Sequence, residues 1–465
     1  MARSDRRKLS EDRKAAALKL ARQSRAGQSD TRAVAERVQT VPGRSGMADF
    51  KTLTSYQELQ LQKTVGQLLN LDSPYFREHD GLAGATSVMS GRTCLNFSTY
   101  DYLGLNGHPE ILAAASDAMA QYGISASASR IVAGERPIHA ELEQALADFY
   151  NVESAVAFVS GHATNVSTID CLLGEQDLIL HDSFIHNSIV TGARLSGAAR
   201  QVFPHGDYDA LERILSERAS QYQRILIVVE GVYSMDGDFP DLPRLLGLKE
   251  RYNAWLMVDE AHSLGVLGKT GRGLAEHFGV DPSRVDIWMG TFSKSLAGCG
   301  GYIAGSAELI ELIKYSAAGF VFSVGLPPLL AASVLRALQL LTAEPERVAN
   351  VQRNGRFLLE TLQDAGFDIG PSQGYAVVPV MLGDSAKAGI LAVRMLERGV
   401  NVLPIIYPAV PEKSARLRFF VTCYHTEDQM REAVRLLSEE LKAFEANPPS
   451  LSSIAKIVQQ QAKSQ

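Results

Sequence analysis

From about residue 92 onward, short uninterrupted apolar runs alternate with stretches of helical period. Ala155–Val159, Leu178–Leu180, Ile225–Val229, Trp255–Val258, Ile287–Met289 and Tyr302–Ala304 read as strands, with helices such as Ile138–Tyr150 and Leu242–Tyr252 between them. These strands are apolar throughout and do not alternate. Both faces of their sheet must therefore be covered, which predicts an α/β fold with a mostly parallel sheet. Beyond Pro327-Pro328 a long helical stretch leads into a second α/β region, with strand-like Ala376–Leu382, Val400–Val402 and Leu417–Thr422 and a helix from about Glu427 to Phe444. The expected organisation is an N-terminal segment over 47–91, a large domain over 92–328, a smaller C-terminal domain over 329–446 and a polar, frayed tail over 447–465.

Residues 1–46 break the pattern, being basic, rich in Ser, Arg and Gln, and without large aromatics. A disordered or partly helical extension is expected. A docking arm for a partner and a targeting peptide are the alternatives, and the interspersed acids Asp5, Glu11, Asp12 and Glu36 weigh against targeting.

Composition narrows the class further. A chain of 465 residues that is 46% hydrophobic and 21% charged can bury a large core. Its net charge of −6 argues against bulk electrostatic binding of nucleic acid. Cys94, Cys171, Cys299 and Cys423 lie far apart, with neither metal-ligand spacing nor a disulfide framework, so reduced thiols in the cytoplasm are expected. No apolar run reaches the length of about 18 residues that a membrane span requires.

In parallel sheets, ligands collect beyond the carboxyl ends of the strands. Polar residues stand at those ends here: His181-Asp182, Glu230-Gly231, Asp259-Glu260-Ala261-His262, and Gly290 through Lys294. Asp259–His262 spells the helicase DEAH box, and Gly268-Lys269-Thr270 follows it. A phosphate-binding loop needs glycine where Ser263 stands, however, and should precede the acidic motif. Pyridoxal 5′-phosphate (PLP) chemistry fits better. A buried carboxylate facing the pyridine nitrogen keeps the ring an electron sink, and Asp259 ends an apolar strand. A cap on the following turn is the alternative role for Asp259. His262 is placed to reach the phenolic oxygen. Thr291-Phe292-Ser293-Lys294 supplies hydroxyls for a phosphate and an amine for the aldehyde, and a desolvated Lys294 would have a lowered pKa. Ser160-Gly161-His162 precedes a predicted helix over Ala163–Leu173, whose free N–H groups can hold a phosphate. His186, in a polar loop, is either structural or stacked on a flat ring.

Together these residues resemble the α-oxoamine synthase family of PLP-dependent fold-type I (aspartate aminotransferase-like) enzymes, which includes serine palmitoyltransferase and 8-amino-7-oxononanoate synthase. The resemblance runs from about Phe50 to about Phe444. It is carried by Tyr102-Leu103-Gly104-Leu105, His181-Asp182 through His186-Asn187-Ser188, Gly192 through Ala198, Glu230 through Asp238, the Asp259–Gly268 run, Gly290–Lys294, and Arg416-Leu417-Arg418 ahead of His425-Thr426. It implies a large domain built on a mostly parallel seven-stranded sheet plus a smaller C-terminal α/β domain. Lys294 would form the Schiff base and Asp259 would meet the pyridine nitrogen. His262 would meet the phenolic oxygen, His186 would stack on the ring, and Ser234 would lie beside it. Thr291 and the Gly161 and His162 amides would hold the phosphate. Arg418 would bind the amino-acid carboxylate, a task suited to guanidinium geometry.

The implied reaction is a decarboxylative condensation of Gly, Ala or Ser with an acyl thioester, giving an α-aminoketone, in a homodimer with shared active sites. Lys294 would serve as the base at Cα. Tyr100, where glycine- and alanine-using members carry Asn, lies near the substrate carboxylate. Tyr122 through Arg130 replaces a glycine-rich loop near the acyl donor, which places Arg130 among the substrate contacts. Ser323 is the one hydroxyl kept where many members supply a pair to the neighbouring subunit's phosphate. The Ser-Ala-Ser-Arg loop, Ser160 through Asn165 and Ser73-Pro74-Tyr75-Phe76-Arg77 look like domains associated with polyketide synthases, which use an acyl carrier protein more often than coenzyme A. The rivals are an aminotransferase on the same fold, a CoA-dependent serine palmitoyltransferase-type enzyme, and a degenerate supporting subunit. The last would have lost Lys294.

Overall fold

The computed structural model describes residues 48–68, 73–407 and 409–447. The basic extension up to residue 46 and the tail from residue 448 lie outside the described residues. Residues 48–68 stand by themselves. Asp49 accepts from the Lys51 N–H to cap a 3-10 turn at Phe50–Thr52, and a helix follows over Thr54–Leu68.

From residue 73 on, the strands run in chain order β1 (Thr86–Met89), β2 (Arg92–Asn96), β3 (Ser154–Phe158), β4 (Leu178–Asp182), β5 (Ala199–Phe203), β6 (Ile225–Glu230), β7 (Trp255–Asp259), β8 (Ile287–Thr291), β9 (Gly301–Gly305), β10 (Val377–Met381), β11 (Val400–Asn401), β12 (Leu403–Ile405) and β13 (Arg416–Phe420). Seven of them form one sheet in the order β3-β9-β8-β7-β6-β4-β5, parallel except for β9, which is antiparallel to both neighbours. Six of the seven, β3, β4, β6, β7, β8 and β9, are buried at all or all but one position, as their apolar runs predict. Leu142, Leu146, Leu245 and Leu246 from covering helices pack on one face with Val258 and Trp288. Ile169, Ile189 and Ile313 pack on the other with Met257 and Ile303.

Edge strand β5 has no counterpart among the expected strands. One side of it has no partner strand, its burial alternates, and Ala199-Arg200-Gln201-Val202-Phe203 lacks the continuous apolar character of a central strand. β1 and β2 were equally unforeseen. They form a hairpin around Ser90 and Gly91, both with positive φ, and β2 pairs in parallel with β11. The C-terminal half also contributes the antiparallel sheet β10-β13-β12, backed by Leu358, Leu391, Met430 and Leu437.

The two halves are stitched together close to the carboxyl ends of the large sheet. Gln352 Nε2 donates to the carbonyls of Val266 and Gly268, both at 2.7 Å. Arg416 of β13 forms a buried ion pair with Asp236, and Arg418 Nη1 donates to the Ser234 carbonyl at 2.9 Å. These bonds tie the C-terminal sheet to the loop after β6.

Arg130 does not play the substrate-contacting part expected of it. It opens a single π-helical turn, Arg130–Gly134, and its guanidinium is spent inside the fold. Nε and Nη2 donate to Glu135 at 2.6 and 2.7 Å, and the head is also paired with Glu143. Glu143 in turn accepts from the Ala157 N–H at 2.9 Å and from Lys314 at 2.8 Å. The Arg130 and Glu143 side chains are only 4% and 6% exposed, so removing Arg130 leaves the buried Glu143 carboxylate to Lys314 and the Ala157 N–H alone. Arg130→Met should lower the unfolding free energy by about 3 kcal/mol, the low end for a broken buried pair, read from denaturant melts of the purified protein.

Candidate active site

Four parallel strands deliver polar side chains to one edge of the sheet. β4 ends in Asp182, β6 in Glu230, β7 in Asp259 and β8 in Thr291, and the strand register places Glu230 directly opposite Asp259. A cleft of about 290 Å³ opens there, with Gly161, His162, His186, Asp259, His262 and Lys294 in its walls. Thr291 and Ser293 line it as well. A larger open recess of about 640 Å³ lies at the amino ends of the strands, around Trp255, Ile287 and Leu309, away from all of these groups.

Lys294 stands in a tight loop between β8 and β9. Phe292 N–H donates to the Gly300 carbonyl at 3.0 Å, Gly298 N–H to the Phe292 carbonyl at 2.8 Å, and Ser295 Oγ to the Leu264 carbonyl at 2.6 Å. Gly300, at φ +127°, permits the return into β9, where a Cβ would meet the Phe158 carbonyl at 2.4 Å. Burial lowers the Lys294 pKa to about 8, opposed by the negative charges of Asp259 and Glu230 and aided by the positive charge of Arg418. The Lys294 Nζ lies 5.8 Å from the centre of the Tyr100 ring.

The phosphate side is a helix N-terminus. The helix starts at Gly161, two residues earlier than expected, with Ser160 as its cap. Ser160 Oγ accepts from the Ala163 N–H at 3.3 Å, which leaves the Gly161 and His162 amides as unpaired first-turn donors. Thr291 closes against them, because a Cβ on Gly161 would meet Thr291 Oγ1 at 2.8 Å. Thr291 Oγ1 also lies 2.8 Å from Ser293 Oγ.

At the far end, Asp259 accepts from the Ala261 N–H at 3.0 Å and from Asn165 Nδ2 at 2.9 Å. His262 Nδ1 is bonded to the Tyr102 hydroxyl at 2.7 Å, which leaves Nε2 for a ligand. Burial holds the His262 pKa well below the usual range, reinforced by Lys294, Arg418 and His186, so its ring is neutral. His186 is lowered by burial too, with Asp259 opposing and Lys294 and His162 assisting. Arg418 packs its guanidinium over Phe420 at 4.5 Å, while its Nε has no partner among the described residues. Ser234 is held beside it through its carbonyl. Ser323 lies elsewhere, in a surface recess with Ile131, Val132, Phe322 and Val324.

Tyr102, Asn165 and Ser188 join the site without having been given a part in it, and Glu230 joins it from the polar strand ends where the sequence had placed it. Glu230 is buried, its Oε1 has no partner, and burial together with Asp259 raises its pKa. Its place at the end of an all-apolar strand was the one signal available. The groups present suit PLP. Unpaired helix amides suit an anion, with Thr291, whose hydroxyl donates to the Gly300 carbonyl at 2.9 Å, and Ser293 beside them, and a buried carboxylate and an amine of lowered pKa line the same cleft.

Comparison with known proteins agrees. The model of the family described as aminotransferase class I and II matches residues 92–437. The chain is 43% identical over 348 residues to 8-amino-7-oxononanoate synthase of Symbiobacterium thermophilum, covering 75% of this chain and 88% of that one. It is 38% identical to serine palmitoyltransferase of Sphingobacterium spiritivorum, covering 80% and 92%. Among solved structures, Sphingomonas wittichii serine palmitoyltransferase superposes with a TM-score of 0.81 at 29% identity, covering 86% and 100%. The S. paucimobilis enzyme with a bound PLP–myriocin aldimine does so with a TM-score of 0.81 at 27% identity, covering 85% and 99%.

The depressed pKa of Lys294 has a direct readout. Its amine is freed as pH rises through about 8, so PLP uptake by cofactor-free protein should follow a midpoint there and not one near 10.4, the value of an ordinary lysine. Glu230→Gln removes a charge that raises this pKa and should move the midpoint down. A stopped-flow series against pH, following growth of the yellow band of lysine-bound PLP, measures both.

Proposed function

The chain belongs to the α-oxoamine synthases within the class I and II aminotransferase family, as a PLP-dependent enzyme that joins an amino acid to an acyl thioester, and from there we propose its substrates and the parts its residues play. The amino acid is Gly, Ala or Ser. The acyl group arrives as a thioester of an acyl carrier protein or of coenzyme A, and the products are an α-aminoketone, CO₂ and the free thiol. The observation that carries this reading is the shared position of Lys294, Asp259 and His262 around one cleft, with the charge of Arg418 acting on both Lys294 and His262.

When bound, PLP supplies an aldehyde for the amino acid's nitrogen and a ring that accepts the electron pair left at Cα. The protein does the rest. Asp259 holds the proton on the ring nitrogen, and His186 covers the ring as a neutral imidazole. Thr291 and the Gly161 and His162 amides grip the phosphate. Arg418 and Tyr100 orient the substrate carboxylate until it leaves as CO₂. Lys294 would hold the cofactor's aldehyde and, once its amine is free, would take the Cα proton. With its pKa at about 8, roughly one Lys294 in ten is an unprotonated base at neutral pH, several hundred-fold more than for an ordinary lysine. The new C–C bond joins Cα to the acyl carbon, and the C–S bond breaks to release the thiol.

An exposed apolar surface supports a homodimer. Val132, Phe322 and Val324 are 78%, 87% and 46% exposed and adjoin Ser323. An apolar patch of this kind marks an interaction face, and a second copy there would carry Ser323 toward a neighbouring phosphate site.

Offering Gly, Ala and Ser in turn with coenzyme A and carrier-protein thioesters, and following CO₂ release, tests the substrate reading. One combination should release CO₂ and thiol in equal amounts, and Lys294→Ala should abolish both the release and the yellow band while leaving the fold intact. Accumulation of pyridoxamine phosphate from amino acid alone would favour the aminotransferase instead. Phe322→Asp should convert dimer to monomer in analytical ultracentrifugation and weaken PLP retention.

A further inference from the structure

Asn165, only 1% exposed, lines the cleft from the helix Gly161–Leu172 that covers the sheet. Its amide nitrogen donates twice: to Asp259 Oδ2 at 2.9 Å and to Ser188 Oγ at 3.0 Å. Ser188 Oγ lies 2.7 Å from His186 Nδ1, and the backbone N–H of Ser188 donates to the same Nδ1 at 3.3 Å.

These bonds fix every proton in the chain. A backbone N–H can only donate, so His186 Nδ1 is an acceptor and carries no hydrogen. Ser188 Oγ receives a hydrogen from Asn165, and its own hydrogen therefore points to Nδ1. The His186 proton is confined to Nε2. The opposite amide orientation would set Asn165 Oδ1 against the Asp259 carboxylate and lose both donations, so only one orientation is compatible with the site. Asn165 Oδ1 has no partner in the observed orientation, so the two donations alone hold the amide.

We infer that Asn165 is a positioning residue which, through its two N–H groups, aligns Asp259 with the pyridine nitrogen of PLP and at the same time locks His186 as the neutral Nε2–H tautomer over the ring. The inference rests on the proposed roles of Asp259 and His186 and adds the element that couples them. Alanine, leucine or aspartate at position 165 cannot supply two donors, and serine could reach at most one of the acceptors. Other charges face the same pair: Lys294 from the loop after β8, Glu230 from β6, His162 from the helix start and His262 from the loop after β7. None of these is hydrogen-bonded to Asp259 or His186 among the described residues, so the tautomer is set by the Asn165–Ser188 chain.

The test uses full-length protein prepared without cofactor and labelled with ¹⁵N-histidine, with His186→Gln assigning the signals. Wild-type His186 should show the Nε2–H tautomer from about pH 6 to about pH 8. Asn165→Ala and Ser188→Ala should each let His186 sample both tautomers. Only the Asn165 variant should also weaken PLP binding in equilibrium dialysis, by about tenfold or more, as expected for a lost hydrogen bond to a charged group. Ser188→Ala should stay within about threefold of wild type. Should Asn165→Ala fail to fold by circular dichroism, the isosteric Asn165→Asp is judged by the same criteria. PLP binding unchanged in the Asn165 variant, or a single His186 tautomer in both variants, overturns the inference. Asp259→Asn separates the two layers. Unchanged PLP binding there sinks the role given to Asp259, whereas the tautomer measurement, made without cofactor, bears on Asn165 alone.

Discussion

Charge in the cleft is organised around the carboxylate of Asp259, set at the end of a strand buried on both faces. Its field reaches each titratable group nearby with a different consequence. It opposes the loss of the proton from Lys294, supports proton binding at His186, and disfavours ionisation of Glu230 across the strand register. A carboxylate in such a place is costly unless its oxygens are satisfied, and both are, by the Ala261 N–H and by Asn165. The surrounding fold exists to supply those donors at a fixed distance. Strand β7 fixes the Asp259 backbone, and the helix beginning at Gly161 brings in both the free first-turn amides and, one turn further on, Asn165.

The central strands and the polar residues at their ends were legible because burial on both faces leaves a continuous apolar run that stops abruptly at chemistry. Asp259, His262 and Lys294 could be found that way. β5 escaped because an edge strand has no such run, and the β1–β2 hairpin because its polarity does not follow its faces, with Ser87 and Asn96 buried and Val88 exposed. Arg130 misled for a different reason. An arginine beside a loop near the acyl donor has the right charge for a substrate contact, yet its partners are Glu135 in the next turn and Glu143 one helix away, and nothing local announces Glu143 as buried. Asn165 was invisible as a site residue because its importance lies in two bonds to residues 23 and 94 positions away. A hint was present in Thr164, Asn165, Ser167 and Thr168, a polar run inside a helix that must cover an apolar sheet.

The C-terminal half contributes by a single inward strand. β13 presents Arg416 and Arg418 two residues apart and hence on one face. Arg416 is consumed by its buried pairing with Asp236 and so anchors the loop after β6. Arg418 reaches the Ser234 carbonyl of that same loop but keeps an unpartnered Nε. One arginine thus fixes the frame in which the other remains available for a carboxylate. An aminotransferase also needs an arginine of this kind, so it does not by itself distinguish the two chemistries of the fold. The distinction lies in what must approach Lys294 from outside.

A base that removes a Cα proton near neutral pH has to be unprotonated often enough to act, yet basic enough to pull. Burial and Arg418 push Lys294 one way, Asp259 and Glu230 push it the other, and the balance falls at about 8. Glu230, buried, with one oxygen unpartnered and no donor stronger than the Ser234 N–H at 3.3 Å, is itself pushed up to about 8 by burial and by the charge of Asp259. Its charge therefore appears over the same pH range in which Lys294 gives up its proton, so the two titrations are tied together across the strand register.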